Sequence, residues 1–200
     1  PMNCIRQTNQ LHNRYFAMRH GHSLANQQRI IVSDPDNGRE AYGLSELGRR
    51  QVADSLARIR ELDETTLVFS SDFRRALETA RIVHERLGCG SRPVVDARLR
   101  ERFFGGLELG SNSGYEQVWR EDARNPDSEP FGAESANQVM RRVTALVVEL
   151  ESAYRGRNIL LVSHGDALQL LQTAFGKQDA SRHRLLDHLV TAEIRPLILA

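Results

Sequence analysis

The sequence predicts an α/β fold: a three-layer α/β/α sandwich whose mostly parallel central sheet is covered by helices on both faces. Two observations carry this. Apolar runs of strand length recur along the chain, and most lead through a polar turn into an amphipathic stretch with helical spacing. Three of these runs end in residues able to do chemistry: Arg19-His20-Gly21, Ser70-Ser71-Asp72 and Ser163-His164-Gly165. Parallel strands bring such ends to one edge of the sheet, where open α/β folds place their sites.

Taken in order, residues 1–13 are polar and aperiodic and read as a tail or an edge extension. Tyr15 to Met18 is the first strand. Residues 26–43 read as a long loop dense in turn residues, Ser33-Asp34-Pro35-Asp36-Asn37-Gly38. A helix follows with Ser45 as N-cap and Leu47, Val52, Leu56 and Ile59 inward. Leu67-Val68-Phe69 is the second strand. Ser70-Ser71-Asp72 is expected to cap the next helix, whose stripe is Phe73, Ala76, Leu77, Ala80, Val83 and Leu87, with Gly88 as its stop. Pro93-Val94-Val95 is a third short strand. Residues 105–135 read as an insertion covering the pocket, with a short helix around residues 114–121. Ser135 caps a long helix with Val139, Val143, Leu146, Val147 and Leu150 inward. The uninterrupted Ile159-Leu160-Leu161-Val162 is the clearest strand, and Ala167, Leu170, Leu171 and Ala174 mark the helix after it. Residues 193–199 read as an edge strand, since Pro196 is poorly tolerated centrally.

The 200 residues fit a single domain with a sizeable core. A net charge of +1 gives no nucleic-acid signature, and no apolar run reaches membrane-spanning length. Two cysteines make no disulfide framework, and no signal-peptide pattern is present, so a cytoplasmic setting is expected. No metal-ligand spacing occurs, and no cofactor or metal is expected. Lys177 is the only lysine among 27 basic residues, so any anion site here is built from arginine.

The chemistry these residues point to is phosphoryl transfer. Arg19 can hold a phosphate through two parallel N–H bonds. His20, neutral near pH 7, is a nucleophile able to take that phosphate covalently. Gly21 lets the chain turn sharply and bring backbone N–H groups near an anion.

The run Arg19-His20-Gly21-x-Ser23-x-x-Asn26 resembles the signature of the histidine phosphatase superfamily, in its phosphoglycerate mutase-like branch. The stretch Ser70-Ser71-Asp72-Phe73-Arg74-Arg75-Ala76 resembles its second arginine motif and selects Arg75, leaving Arg74 to pair with Glu78. Ser163-His164-Gly165 resembles its second histidine motif. Leu99-Arg100-Glu101-Arg102 resembles the segment carrying the proton donor and selects Glu101, with Asp166 as runner-up. Pro130-Phe131-Gly132-Ala133-Glu134-Ser135 with Arg142 also resembles the phosphatase members. The resemblance covers roughly residues 14–175.

It implies a metal-independent phosphomonoesterase with a catalytic set of His20, Glu101, Arg19, Arg75 and His164, and phosphate contacts from Gly21, Ser23, Asn26 and Gly165. His20 would attack phosphorus, Glu101 would protonate the leaving alcohol, and water would then hydrolyse a phosphohistidine. The partner would be a small-molecule phosphate ester, with a homodimer permitted by the C-terminal edge strand. In the mutases the proton-donor segment ends in a lysine; here the aligned stretch is Leu107-Glu108-Leu109, and the mutase tyrosine is replaced by Phe104. A phosphatase is therefore favoured over a mutase or a catalytically weak binding module. Arg29, Arg39, Trp119, Arg120 and Arg124 are the expected pocket lining.

Overall fold

In the computed structural model, which describes residues 2–200, five strands form one sheet. Its order is β3-β2-β4-β1-β5, with β1 Arg14–Arg19, β2 Leu67–Ser70, β3 Val94–Val95, β4 Asn158–Ser163 and β5 Ile194–Leu197. All pairings are parallel except β5 against β1, which is antiparallel. The edge position of β5 places Pro196 where a missing N–H breaks no central ladder.

The period-2 alternation of the central strands feeds two separate cores. Tyr15, Ala17, Ile159 and Leu161 face one layer, with α6 Ala136–Ala153 and α7 Gly165–Phe175. Phe16, Met18, Leu160 and Val162 face the other, with α3 Glu46–Arg58 and α4 Arg74–Leu87. Burial of each such side chain contributes about 1.5–3 kcal/mol.

Several expectations are corrected by the structure. Residues 26–43 are not structureless: they contain α1 Leu24–Gln28 and α2 Pro35–Gly38, the latter begun by Pro35 and capped by Asp34. Leu47 is exposed, because α3 turns Gly48, Val52 and Leu56 inward and Leu47 lies one position off that stripe. Asp72 caps nothing. Phe73 occupies the cap position of α4 without a side-chain bond, while Asp72 takes a two-pronged bond from Arg100. The N-terminal segment is neither tail nor edge. Ile5 is buried in the α6/α7 core, Asn3 donates to the carbonyl of Ala174, and Asn13 donates to Glu151.

Two glycines let the first strand end close to a helix. A Cβ on Gly21 would lie 2.6 Å from the carbonyl oxygen of Gly48, and one on Gly48 would lie 2.0 Å from that of His22. The turn after β1 and the first turn of α3 are therefore in backbone contact, which fixes where His20 points.

Candidate active site

Strand register brings the two histidines together. Arg19 pairs with Ser163 across the β1/β4 ladder, so His20 and His164 leave adjacent strand ends side by side, with ring centroids 5.2 Å apart. Next door, Ser70 pairs with Val162, which brings Ser71 to His164.

Both rings are almost wholly buried. His20 Nδ1 lies 2.7 Å from the carbonyl oxygen of Gly21, so Nδ1 carries the proton and donates. Nε2 is left with its lone pair, which accepts from Arg75 Nε at 3.2 Å. Burial, with Arg75 and Arg19 nearby, holds the His20 pKa well below its ordinary value. Neutral imidazole with a free Nε2 lone pair is the nucleophilic form. His164 is neutral for a similar reason: burial first, then Arg75. Ser71 Oγ accepts from the Phe73 N–H and lies 2.8 Å from His164 Nε2. With that hydroxyl donating to Nε2, Nδ1 is the protonated nitrogen.

Three buried nitrogens in this cluster have no hydrogen-bond partner: Arg19 Nε, Arg75 Nη1 and His164 Nδ1. Buried donors are ordinarily satisfied, and a lone one costs about 1–3 kcal/mol. Arg19 is anchored through Nη1 to the carbonyl of Leu189, and Arg75 through Nη2 to that of Val32. The remaining donors form a pre-set anion cradle around His20.

Glu101 adjoins the cradle. Its carboxylate accepts from the N–H groups of Arg102 at 2.8 Å, Ala167 at 3.1 Å and Asp166 at 3.3 Å. Burial and then Asp166 push its pKa above the usual carboxylate range. The arginines that flank it in sequence are spent elsewhere. Arg100 pairs with Asp72, and Arg102 with Asp122 and Asp166. The loop itself is clamped by Arg142, which donates to the carbonyls of Arg98, Arg100 and Glu101 and grips both oxygens of Glu134.

Ser23 and Asn26 form a reciprocal capping box at the start of α1: Asn26 Oδ1 accepts from the Ser23 N–H and hydroxyl. The hydroxyl and the amide oxygen thus hold the loop. Gly165 lies against Arg19, 3.5 Å from its guanidinium carbon to a would-be Cβ. Asp166, the runner-up acid, is committed to Trp119 Nε1 at 2.9 Å and to Arg102.

Outward from Glu101 and Arg19 runs a cleft of about 310 Å³, walled by Tyr115, Trp119, Arg184 and His188. Of the five expected lining residues, only Trp119 is there. Arg29 is an exposed helix C-cap, Arg39 pairs with Asp72, Arg120 with Glu116 and Arg124 with Glu121. Tyr115, Arg184 and His188 escape sequence reading. The spacing of Tyr115 and Trp119, four apart on α5 Tyr115–Arg124, was a usable signal for a shared face; Arg184, in the short 3-10 helix Ala180–Leu185, and His188, in the loop after it, carry none.

The model of the histidine phosphatase superfamily (branch 1) matches residues 15–197. The probable phosphoglycerate mutase GpmB of Enterobacter sp. (strain 638) is 35% identical over 181 residues, covering 85% of this chain and 78% of the relative. A mycobacterial glucosyl-3-phosphoglycerate phosphatase, solved in complex with VO3, is 31% identical, with a TM-score of 0.75 over 92% of this chain and 91% of that one. The alpha-ribazole phosphatase from Shigella flexneri shares the fold, with a TM-score of 0.74 at 23% identity over 92% and 89% of the two chains. The fold is that of the phosphoglycerate mutase-like proteins, and the chain belongs to branch 1 of the histidine phosphatase superfamily.

Proposed function

We propose that the protein is a phosphomonoesterase that hydrolyses a small phosphorylated metabolite through a phosphohistidine on His20. The observation that carries this reading is the cradle: three partnerless buried donors beside a neutral histidine whose unprotonated Nε2 faces Arg75. A phosphate there would receive N–H bonds from Arg19, Arg75 and His164. Charge on its equatorial oxygens would be offset by donors already in position, so little reorganisation is needed as the reaction proceeds.

In the first step His20 Nε2 forms a bond to phosphorus while the P–O bond to the leaving alcohol breaks. Glu101, its pKa raised so that the protonated form persists above the usual range, gives the leaving oxygen its proton. In the second step the Glu101 carboxylate takes a proton from water, which attacks phosphorus and frees His20. Arg75 already donates to Nε2 and moves its N–H groups to the phosphate oxygens as the covalent bond forms.

Relatives named as probable mutases keep a second reading in view, in which the phosphoryl group passes to another hydroxyl. Glu108 favours hydrolysis. It stands where the mutases' lysine is expected, and its carboxylate is consumed in closing the α2 loop. It accepts from the N–H groups of Ser33 at 2.7 Å and Asp34 at 2.8 Å and from Asn37 Nδ2 at 3.0 Å. A carboxylate spent in this way leaves no cation at that position to hold a second phosphate.

The test is phosphate release from sugar phosphates, phosphoglycerates, nucleotides and an aryl phosphate, with chelator present, for native protein and His20→Ala. The reading predicts turnover of at least one ester and a loss of about 10⁴-fold or more in the variant. Equal activity of the two proteins would overturn it. Interconversion of phosphoglycerates without net phosphate release would establish the mutase reading instead.

A further inference from the structure

Resting on the phosphatase reading, we infer that Arg184 selects substrates whose leaving group carries a second anionic group. His20, His164 and Arg75 are buried, whereas the cleft beyond Glu101 holds about 310 Å³, far more than a leaving oxygen needs. Of the two clefts that Glu101 borders, this is the one that Arg19 of the cradle also lines, so an alcohol that Glu101 protonates emerges into it.

The far wall is built around Trp119, and that ring is fully occupied. Tyr115 stacks on it at 5.6 Å with 12° between planes. Its Nε1–H is given to Asp166. The Arg184 guanidinium lies 3.7 Å from the ring centroid. Trp119 therefore acts as a platform for Arg184 rather than as a surface for substrate. Stacking of this kind fixes a planar guanidinium and leaves its N–H edges free to bind.

Those edges are free. Among the described residues the Arg184 guanidinium makes no hydrogen bond; its nearest carboxylate is Asp166, 3.9 Å away. Asp166 already serves Trp119 and Arg102. The imidazole of His188, on the same wall, makes no hydrogen bond either. Two nitrogen-bearing side chains thus face the cleft with nothing to donate to, opposite an acid that must be protonated to act. An oxygen anion on the leaving group, a carboxylate or a second phosphate, meets that arrangement; a neutral polar group forgoes the charge-assisted bond. Glu108 closes a different side of the site, behind the α2 loop, and does not face this wall.

The experiment compares meta-carboxyphenyl phosphate with meta-carbamoylphenyl phosphate, two esters of similar size that differ by one charge. The native protein is expected to favour the carboxylate in kcat/KM by about tenfold to a hundredfold, the range for one charge-assisted bond. Arg184→Met removes the charge and keeps the stem; the preference then falls to about one, through KM. Arg184→Lys restores part of it, which a purely structural role would not produce. A native protein without preference, or a preference that survives Arg184→Met, overturns the assignment. Failure of the underlying reading is separately visible: neither ester would then release phosphate in a His20-dependent way.

Discussion

Two buried charged clusters lie within a few residues of each other in this protein, and they are built on opposite principles. The first is the cradle of His20, His164, Arg19 and Arg75, where three donors have no protein partner. The second joins Arg102, Asp122, Asp166 and His183. Arg102 and Asp122 are wholly buried and meet through two bonds of 2.6 and 2.9 Å, and His183 Nε2 reaches Asp122 at 2.9 Å. There, apart from His183 Nδ1, the buried side-chain nitrogens are met by the protein itself. The cradle accepts the cost of unmet donors and is ready for a ligand. The network meets its donors internally and ties α5, the segment 180–185 and the start of α7 to the loop carrying Glu101. Burial and charge alone do not distinguish a site from a brace; the state of the hydrogen bonds does.

The sharpest way to test that contrast is to remove one member of each side. Glu101→Gln leaves the backbone bonds to its side-chain oxygen possible but removes the transferable proton. It should lower kcat/KM for alkyl phosphates by about 10²–10⁴-fold. An activated aryl phosphate, whose leaving group needs no proton, should lose much less. Equal losses on both would remove Glu101 from the acid role.

Asp122→Asn should act on the fold first. It strands Arg102 in a buried position with only Asp166 to offset it, which for a broken buried pair costs about 3–5 kcal/mol. Denaturant unfolding measures this directly. A loss below about 1 kcal/mol would show that the network is not a brace.

The smallest effect lies in the pH profile. The His20 pKa is held well below 6.5, so its nucleophilic form persists as pH falls, and the acid limb of kcat/KM lies below that value. The Glu101 pKa is raised above 4.5, so protonated acid persists as pH rises, and the alkaline limb lies above it. Glu101→Gln should remove the alkaline limb and leave the acid one. An alkaline limb that survives belongs to another group.

Much of this was legible in the sequence, for physical reasons. Buried parallel strands read as unbroken apolar runs, and β4, with Ile159 to Val162, could hardly be read otherwise. The helix caps Ser45, Ser135 and Gly88 carry their own local chemistry and stand where expected. The misreadings fall where tertiary contacts overrule local signals. Asp72 looks like a helix cap, but a bidentate arginine, Arg100, outcompetes backbone N–H groups for it. Leu47 is apolar but sits one position off the buried stripe of Gly48, Val52 and Leu56, which a glycine begins without any apolar signal. Arg184 carried no signal, because its place is set by a ring far away in sequence and not by its own neighbours.

The most direct test of the covalent route is rapid-quench trapping. Native protein mixed with an aryl phosphate should be stopped during turnover in alkali, where phosphohistidine survives, and mapped by mass spectrometry. The account predicts one phosphoryl group, on His20, that is lost on acid treatment and absent from His20→Ala. A phosphoryl group on any other residue, or turnover with no covalent intermediate at the earliest times, would contradict it.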